Sequence, residues 1–331
     1  MKTLLICVVM GMVVSSMLSV VWAAERGGAR ERPSEKPEGK WEWTPEAPEN
    51  VEVIKKVIYG KGGGRDLGLA LFLPKDDEPL HPGIVFIHGG GWTGGSPAHF
   101  SGQAAYLAGK GYVGACVEYR LSGEAKFPAA VEDVKCAVRW MRANAEKYKI
   151  DPERIASVGG SAGGHLASIL GVMDKADGLE GDGGHGGYSS KTNAVVAFNG
   201  AFSFMVLQEH MQNISKQRSQ PSAPERFIGG TIKELPEKFK QASPMTYVDE
   251  TDAPHLFLHG TADGLVPIRQ SVDMMKALEK VGVRAELYAA EGEGHGFFNK
   301  GPQYEKTLKR MEQFLNDVFE WGAKEKPTAA E

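Results

Sequence analysis

The sequence predicts an α/β fold, a mostly parallel central sheet with helices on both faces and a small helical insertion. Three observations carry this. Short apolar segments alternate with segments of helical spacing from Val51 to Trp321, the pattern in which strands lie parallel between helix layers. Ile84–Ile87 is a continuous apolar run, as expected of a strand covered on both faces. Ala129–Tyr148 sets Val131, Val134, Val138 and Met141 on one stripe, the mark of a long amphipathic helix.

The elements follow in order. Val51–Tyr59 and Leu67–Leu73 read as a strand pair joined through Lys61-Gly62-Gly63-Gly64. Pro97 to Lys110 has helical spacing, and Tyr112–Tyr119 is a strand. After the long helix comes a short strand, Arg154–Val158, then a glycine turn and the helix Ala162–Gly171. Ala194–Phe198, His255–Leu258 and Ala285–Tyr288 supply later strands, with helices at Ile268–Val281 and Tyr304–Trp321. Residues 174–192 are glycine-rich and polar and read as a surface loop with weak structural demands. Residues 201–246 interrupt the rhythm and read as a helical insertion over the site. The catalytic domain thus spans 51–322, followed by a polar tail, 323–331. In such sheets ligands bind beyond the carboxyl ends of the strands.

Composition narrows the class. Of 331 residues, 42% are hydrophobic and 24% charged, enough for a sizeable core. The formal net charge of −4 leaves no basic footprint, so nucleic acid is not an expected partner. Lys2, the apolar run Leu4 to Val14 and Val21-Trp22-Ala23 fit a signal peptide over 1–24, hence export. A membrane is a partner only if that segment is retained as an anchor. Residues 25–50 are rich in Glu, Arg, Lys and Pro and read as a solvated linker. Trp41 and Trp43 are expected to pack on the domain edge. Cys116 and Cys136 are too few for a disulfide scaffold and lack metal-ligand spacing. Buried free thiols are the favoured reading, with a disulfide as the alternative. Asn213-Ile214-Ser215 matches a glycosylation pattern but reads as incidental. Oligomeric state is left open.

The chemistry lies in loops after strands. Gly159-Gly160-Ser161-Ala162-Gly163 follows a strand and opens a helix. A serine on so sharp a turn takes a strained backbone and needs small neighbours, and its hydroxyl projects above the sheet. His88-Gly89-Gly90-Gly91 directly follows Ile84–Ile87. Acyl transfer develops negative charge on a carbonyl oxygen, and the amides of Gly90, Gly91 and Ala162 would hold it. His88 reads as a loop-fixing histidine. The alternative for both motifs is an ordinary glycine-rich turn.

A base and its orienting acid should follow the serine in chain order. Asp263 lies just past the strand His255–Leu258, and His295 just past Ala285–Tyr288. His295 would take the Ser161 proton, while Asp263 fixes the imidazole tautomer. Asp252 and Glu293 are rival acids, and His165 and His259 rival bases. Trp92 and Phe297 flank the site in sequence and could line a substrate pocket or simply pack the core.

These elements together resemble the α/β-hydrolase superfamily over roughly residues 51 to 320. The His88-Gly89-Gly90-Gly91 loop is similar to that of hormone-sensitive-lipase-like esterases. A closer similarity is to secreted bacterial esterases of the feruloyl-esterase and acetyl-xylan-esterase (BD-FAE-like) kind. It rests on Gly89-Gly90-Gly91-Trp92, Tyr119-Arg120-Leu121-Ser122, Phe127-Pro128-Ala129-Ala130, Asp133-Val134-Lys135, Ala137-Val138-Arg139-Trp140 and Gly159 through Leu166. The resemblance implies hydrolysis of small or carbohydrate esters through an acyl-enzyme, with no cofactor and no metal. It implies Ser161, Asp263 and His295 as the triad and Gly90, Gly91 and Ala162 as oxyanion donors. Gly178 to Gln220 matches no family motif. The alternatives are an oligopeptidase-type serine peptidase and an inactive binding module. The chain lacks the long N-terminal region of the former and has every triad member absent from the latter.

Overall fold

In the computed structural model the described residues are 47–214 and 220–322. The expected leader, the linker up to residue 46, Trp41 and Trp43, Ser215 and the tail 323–331 lie outside them. β1 (Val51–Gly62) and β2 (Arg65–Pro74) form an antiparallel hairpin turned at Gly63 and Gly64, both at positive φ. The connector is shorter than the four residues expected, because strand pairing continues through Lys61 and Gly62. β3 (His81–Ile87), β4 (Val113–Val117), β5 (Ile150–Gly160), β6 (Ala194–Phe198), β7 (His255–Gly260) and β8 (Ala285–Ala290) run parallel. The order across the sheet is β1-β2-β4-β3-β5-β6-β7-β8, with β2 antiparallel to β4.

The helices are α1 (Ser101–Ala108), α2 (Ala129–Ala143), α3 (Ala145–Tyr148), α4 (Ala162–Val172), α5 (Phe204–Ile214), α6 (Ala223–Ile228), α7 (Pro236–Gln241), α8 (Arg269–Lys280) and α9 (Pro302–Phe319). One expectation fails here. Ala129–Tyr148 is not a single helix. It breaks at Asn144 (φ −111°, ψ 17°), whose side chain donates to Trp140 O, and α3 ends at Lys149 in the left-handed region.

Successive strand residues point to opposite faces, so the sheet separates two cores. Val85, Ile87, Val117, Val195, Ala197 and Phe257 meet α2, α4 and α8 on one side. Ile84, Phe86, Cys116, Val158, Val196 and Leu258 meet α1 and α9 on the other. The central strands are buried along their whole length, which is why their sequences lack polar alternation. Cys116 and Cys136 are buried free thiols. Among the described residues no helix is long and apolar enough to cross a membrane.

The segment 174–192 has stronger demands than its composition suggests. Lys135 and Arg139, both on α2 and fully buried, point into it. Glu180 answers both, 2.9 Å from Lys135 Nζ and 2.5 Å from Arg139 Nη1, and it also accepts from Ser190 Oγ. Burial opposes ionisation of Glu180, but these partners hold its carboxyl below the usual range. A buried cation stripped of its counter-ion is destabilising. Glu180→Ala is therefore expected to cost about 3 kcal/mol, read as a lower urea midpoint.

Three buried histidines make stability sensitive to acid. Burial pushes His88, His165 and His255 down to about 4, whereas an unfolded histidine titrates near 6.5. Below that value the unfolded chain binds protons that the folded chain refuses. Their stabilisation is thus complete above about pH 6.5 and lost as pH falls towards 4, on the order of 3 kcal/mol per histidine. Asp252 works the other way. Burial lifts it to about 6 against its bond to Lys191, so it takes up a proton in the folded state over part of the same range. The net expectation is a thermal midpoint that falls steadily between pH 6.5 and 4. A midpoint unchanged down to pH 4 would contradict this account.

Candidate active site

Ser161 stands between β5 and α4 at φ 56°, ψ −117°, a conformation that side chains rarely adopt. Such strain persists only where the surroundings enforce it. Here the Ser161 amide donates to Phe198 O at 2.7 Å, and its carbonyl accepts from His165 N, as the first turn of α4 requires. Gly163 is forced by close approach, since a Cβ there would lie 2.0 Å from Ile87 O. That contact presses the nucleophile turn against the end of β3, where the next loop begins.

In that loop Gly90 sits at φ +115°, open only to glycine, and its carbonyl accepts from Thr93 N and Gly94 N. His88 stacks on Tyr119 with ring centroids 4.3 Å apart, and its Nδ1–H donates to Gly89 O. The Tyr119 hydroxyl donates back to His88 O. His88 therefore braces the loop and is held neutral by burial. Gly89, Gly90, Gly91, Ser161 and Ala162 line a single cavity of ≈ 450 Å³. Ala162 opens α4, so its amide belongs to the unpaired first turn of a helix, where partial positive charge gathers.

Asp263 and His295 come from the loops after β7 and β8. These loops are stitched together by Ala262 N→Glu293 O and Gly292 N→Thr261 Oγ1. His295 Nδ1–H donates to Asp263 Oδ2 at 2.7 Å, and His295 lines the same cavity as Ser161. Asp263 Oδ1 accepts the amides of Leu265 and Val266, both at 2.9 Å. Burial alone would raise this carboxyl. The donors around it, His259, His295 and Asn199, instead hold it far below the usual carboxylate range. Asp263 thus stays ionised, and the tautomer of His295 keeps Nε2 free to accept a proton.

The rivals lie elsewhere. Asp252 precedes β7, at the opposite end of the strands, and pairs with Lys191 at 3.2 Å. Glu293 contributes its carbonyl to the stitching and its side chain to Gln303. His165 is buried, accepts Trp92 Nε1–H on Nδ1 and donates from Nε2 to Ala242 O. His259 is held between Ser271 Oγ and Val266 O, with Nε2 3.5 Å from Asp263.

Trp92 lines the cavity, yet it is also a packing residue, 3% exposed and stacked on Phe227. Of the two readings open for Phe297, the structure shows packing: it lies in the core beside α9. Phe298 lines the cavity, while Phe297 packs edge-on against it within a short 3₁₀ turn. The helical segment supplies Leu207 and Met211 from α5 and Ala223, Pro224 and Arg226 from α6. Sequence reasoning assigned none of these. It also missed Asn199, whose signal was its position immediately beyond β6, at the end of the sheet where the other site residues gather.

A strained serine at a strand–helix turn, beside a carboxylate-bound histidine above a mostly parallel sheet, defines a chain of the α/β-hydrolase class. Its family model match, BD-FAE, covers residues 69–278, and the chain belongs to that family. It is 30% identical over 271 residues to esterase LipC of Mycobacterium tuberculosis, covering 80% of this chain and 65% of the relative. It is 27% identical to the isoprenylcysteine alpha-carbonyl methylesterase ICME of Arabidopsis thaliana, covering 74% and 56%. The chain thus spans somewhat over half the length of these curated relatives. Among solved structures, apo Thermogutta terrifontis esterase 2 is 34% identical with a TM-score of 0.69, covering 85% of this chain and 98% of that one. A bifunctional GH43-CE protein of Bacteroides eggerthii is 33% identical with a TM-score of 0.71, covering 80% and 38%.

Proposed function

We propose that the chain hydrolyses carboxylic esters through an acyl-enzyme. Ser161 Oγ attacks the ester carbonyl while His295 Nε2 takes the hydroxyl proton. The oxyanion is held by the amides of Gly90, Gly91 and Ala162. His295 then protonates the departing alcohol, and afterwards activates the water that releases the acid. Asp263 keeps the ring oriented and stabilises its cation. The observation that carries this reading is the 2.7 Å bond from His295 Nδ1 to Asp263, with His295 and Ser161 lining one cavity.

The substrate we favour is a short-chain ester of a small alcohol or of a carbohydrate. A cavity of ≈ 450 Å³ walled by Leu207, Met211, Ala223, Val266 and Phe298 suits a short apolar acyl group. The similar Thermogutta esterase 2 is described with propionate and with butyrate bound, and as phosphorylated by paraoxon. The carbohydrate reading draws on the GH43-CE neighbour and on the export signal read in residues 1–24. We take residues 25–50 as the linker and 323–331 as a polar tail of an exported protein.

The test is a panel of p-nitrophenyl acetate, butyrate and longer esters, acetylated xylan and peptide anilides. Acetate and butyrate should turn over best, and a fluorophosphonate probe should label Ser161. Cleavage of anilides with inert esters would point to a peptidase instead. No turnover and no labelling would leave a binding module.

A further inference from the structure

We propose that Asn199 is a positioning residue for the Asp263–His295 pair, and that the end of β6 ties the nucleophile to its acid–base partners. This rests on the triad reading given above. Phe198, the last residue of β6, accepts the Ser161 amide at 2.7 Å. One residue further, Asn199 Nδ2 donates to Asp263 Oδ2 at 2.5 Å, the same oxygen that receives His295 Nδ1–H. Two consecutive residues therefore hold the serine on one side and the carboxylate on the other. The backbone between them is fixed by Asn199 N→Leu258 O at 3.0 Å, which links β6 to β7.

Two features of Asn199 weaken the fold. Its φ is +49°, and it is fully buried with Oδ1 lacking a hydrogen-bond partner among the described residues. A strained conformation and an unmatched buried acceptor are both destabilising. A side chain chosen for packing alone would avoid the second. What the amide supplies is a donor to Oδ2 that neither titrates nor competes for the catalytic proton.

The neighbouring groups do not replace it. Leu265 N and Val266 N bind Oδ1, not Oδ2. His259 Nε2, 3.5 Å from Oδ2, gives its shorter bond to Val266 O at 2.8 Å. With Asn199 removed, Leu265 N and Val266 N still hold Oδ1, but Oδ2 keeps only His295 at short range and His259 at 3.5 Å, so the placement of the oxygen that orients the imidazole is loosened. Asn199 is not among the residues lining the cavity, so its influence belongs in kcat and not in substrate affinity.

Asn199→Gly keeps the left-handed backbone without strain and deletes the donor. Asn199→Asp keeps the shape and sets an acceptor against an acceptor. For short p-nitrophenyl esters, kcat should fall about 10- to 100-fold in Asn199→Gly, with KM within about threefold of wild type. Asn199→Asp should fall further at alkaline pH, where both carboxyls are ionised and face each other, and should recover in part as pH falls and one of them takes up a proton. A space-filling role predicts the opposite order. The far-downfield proton resonance of His295 Nδ1–H should shift in both variants. The proposal is overturned if both keep kcat within about twofold of wild type, if Asn199→Asp is the more active at alkaline pH, or if the resonance stays put. It is equally overturned if neither variant folds, since the residue is then structural. Asp263→Asn, assayed alongside, separates the two readings. If it keeps full activity the triad reading fails; if it loses activity while the Asn199 variants do not, the Asn199 inference alone fails.

Discussion

Ser161→Ala is expected to lower kcat for short p-nitrophenyl esters by about 10⁴- to 10⁶-fold. The variant retains the loop at Gly90 and Gly91, the helix amide of Ala162 and the cavity walls, so it should still bind substrate. It lacks the hydroxyl that, in the proposed mechanism, would carry the acyl group. Water attacking directly would have to be placed and deprotonated by a histidine poised for a different nucleophile, so members of such a set act as a unit. The protein should remain folded, because Ser161 contributes its backbone, not its hydroxyl, to the bonds that fix the turn. Substrate depletion assays with carefully purified variant measure this directly. Residual activity above about a tenth of wild type would move the nucleophile elsewhere.

Asp263→Asn is expected to lower kcat by about 10⁴-fold with little change in KM. The neighbours dictate how the new amide must sit. Leu265 N and Val266 N both donate to the Oδ1 position, so only an oxygen fits there. The amide nitrogen is then turned towards His295 Nδ1 and Asn199 Nδ2, where it meets donors with a donor. His295 can resolve that conflict by moving its proton to Nε2, which leaves nothing on the serine side to accept one. Asp263→Glu, by contrast, keeps the charge but overfills the pocket, and separates loss of charge from loss of shape. Stability and activity can be read on the same samples. An Asp263→Asn enzyme within tenfold of wild type would mean that the carboxylate is structural.

Much of the fold was legible because burial on both faces writes long apolar runs into the central strands. Ala194–Phe198 was found with its exact bounds for that reason. The break at Asn144 was not legible, since the apolar stripe of α2 continues through it and only the backbone changes course. The loop around Glu180 was misjudged because its demands come from Lys135 and Arg139, some forty residues earlier. Composition registers a glycine-rich segment but not which distant cations it must meet. At the site, glycine-bearing turns after strands mark Ser161, Asp263 and His295 by position, and the structure brings the last two into hydrogen-bond contact. Phe298 could not be told from Phe297, since a 3₁₀ turn of three residues decides which ring faces the cavity.

The bond from Trp92 to His165, and from His165 to Ala242 O, has a mechanical consequence. It ties the glycine loop, the helix behind the serine and the stretch after α7 into one frame. Phe127 N→Phe227 O and Phe202 N→Gln270 Oε1 fasten that frame at two more points. A gate that swung α6 and α7 aside would have to tear Trp92 from its place and disarm the amides beside it. The described wall of the cavity, to which Met211 and Arg226 contribute, is therefore braced masonry, and no swing of α6 and α7 is expected to precede entry.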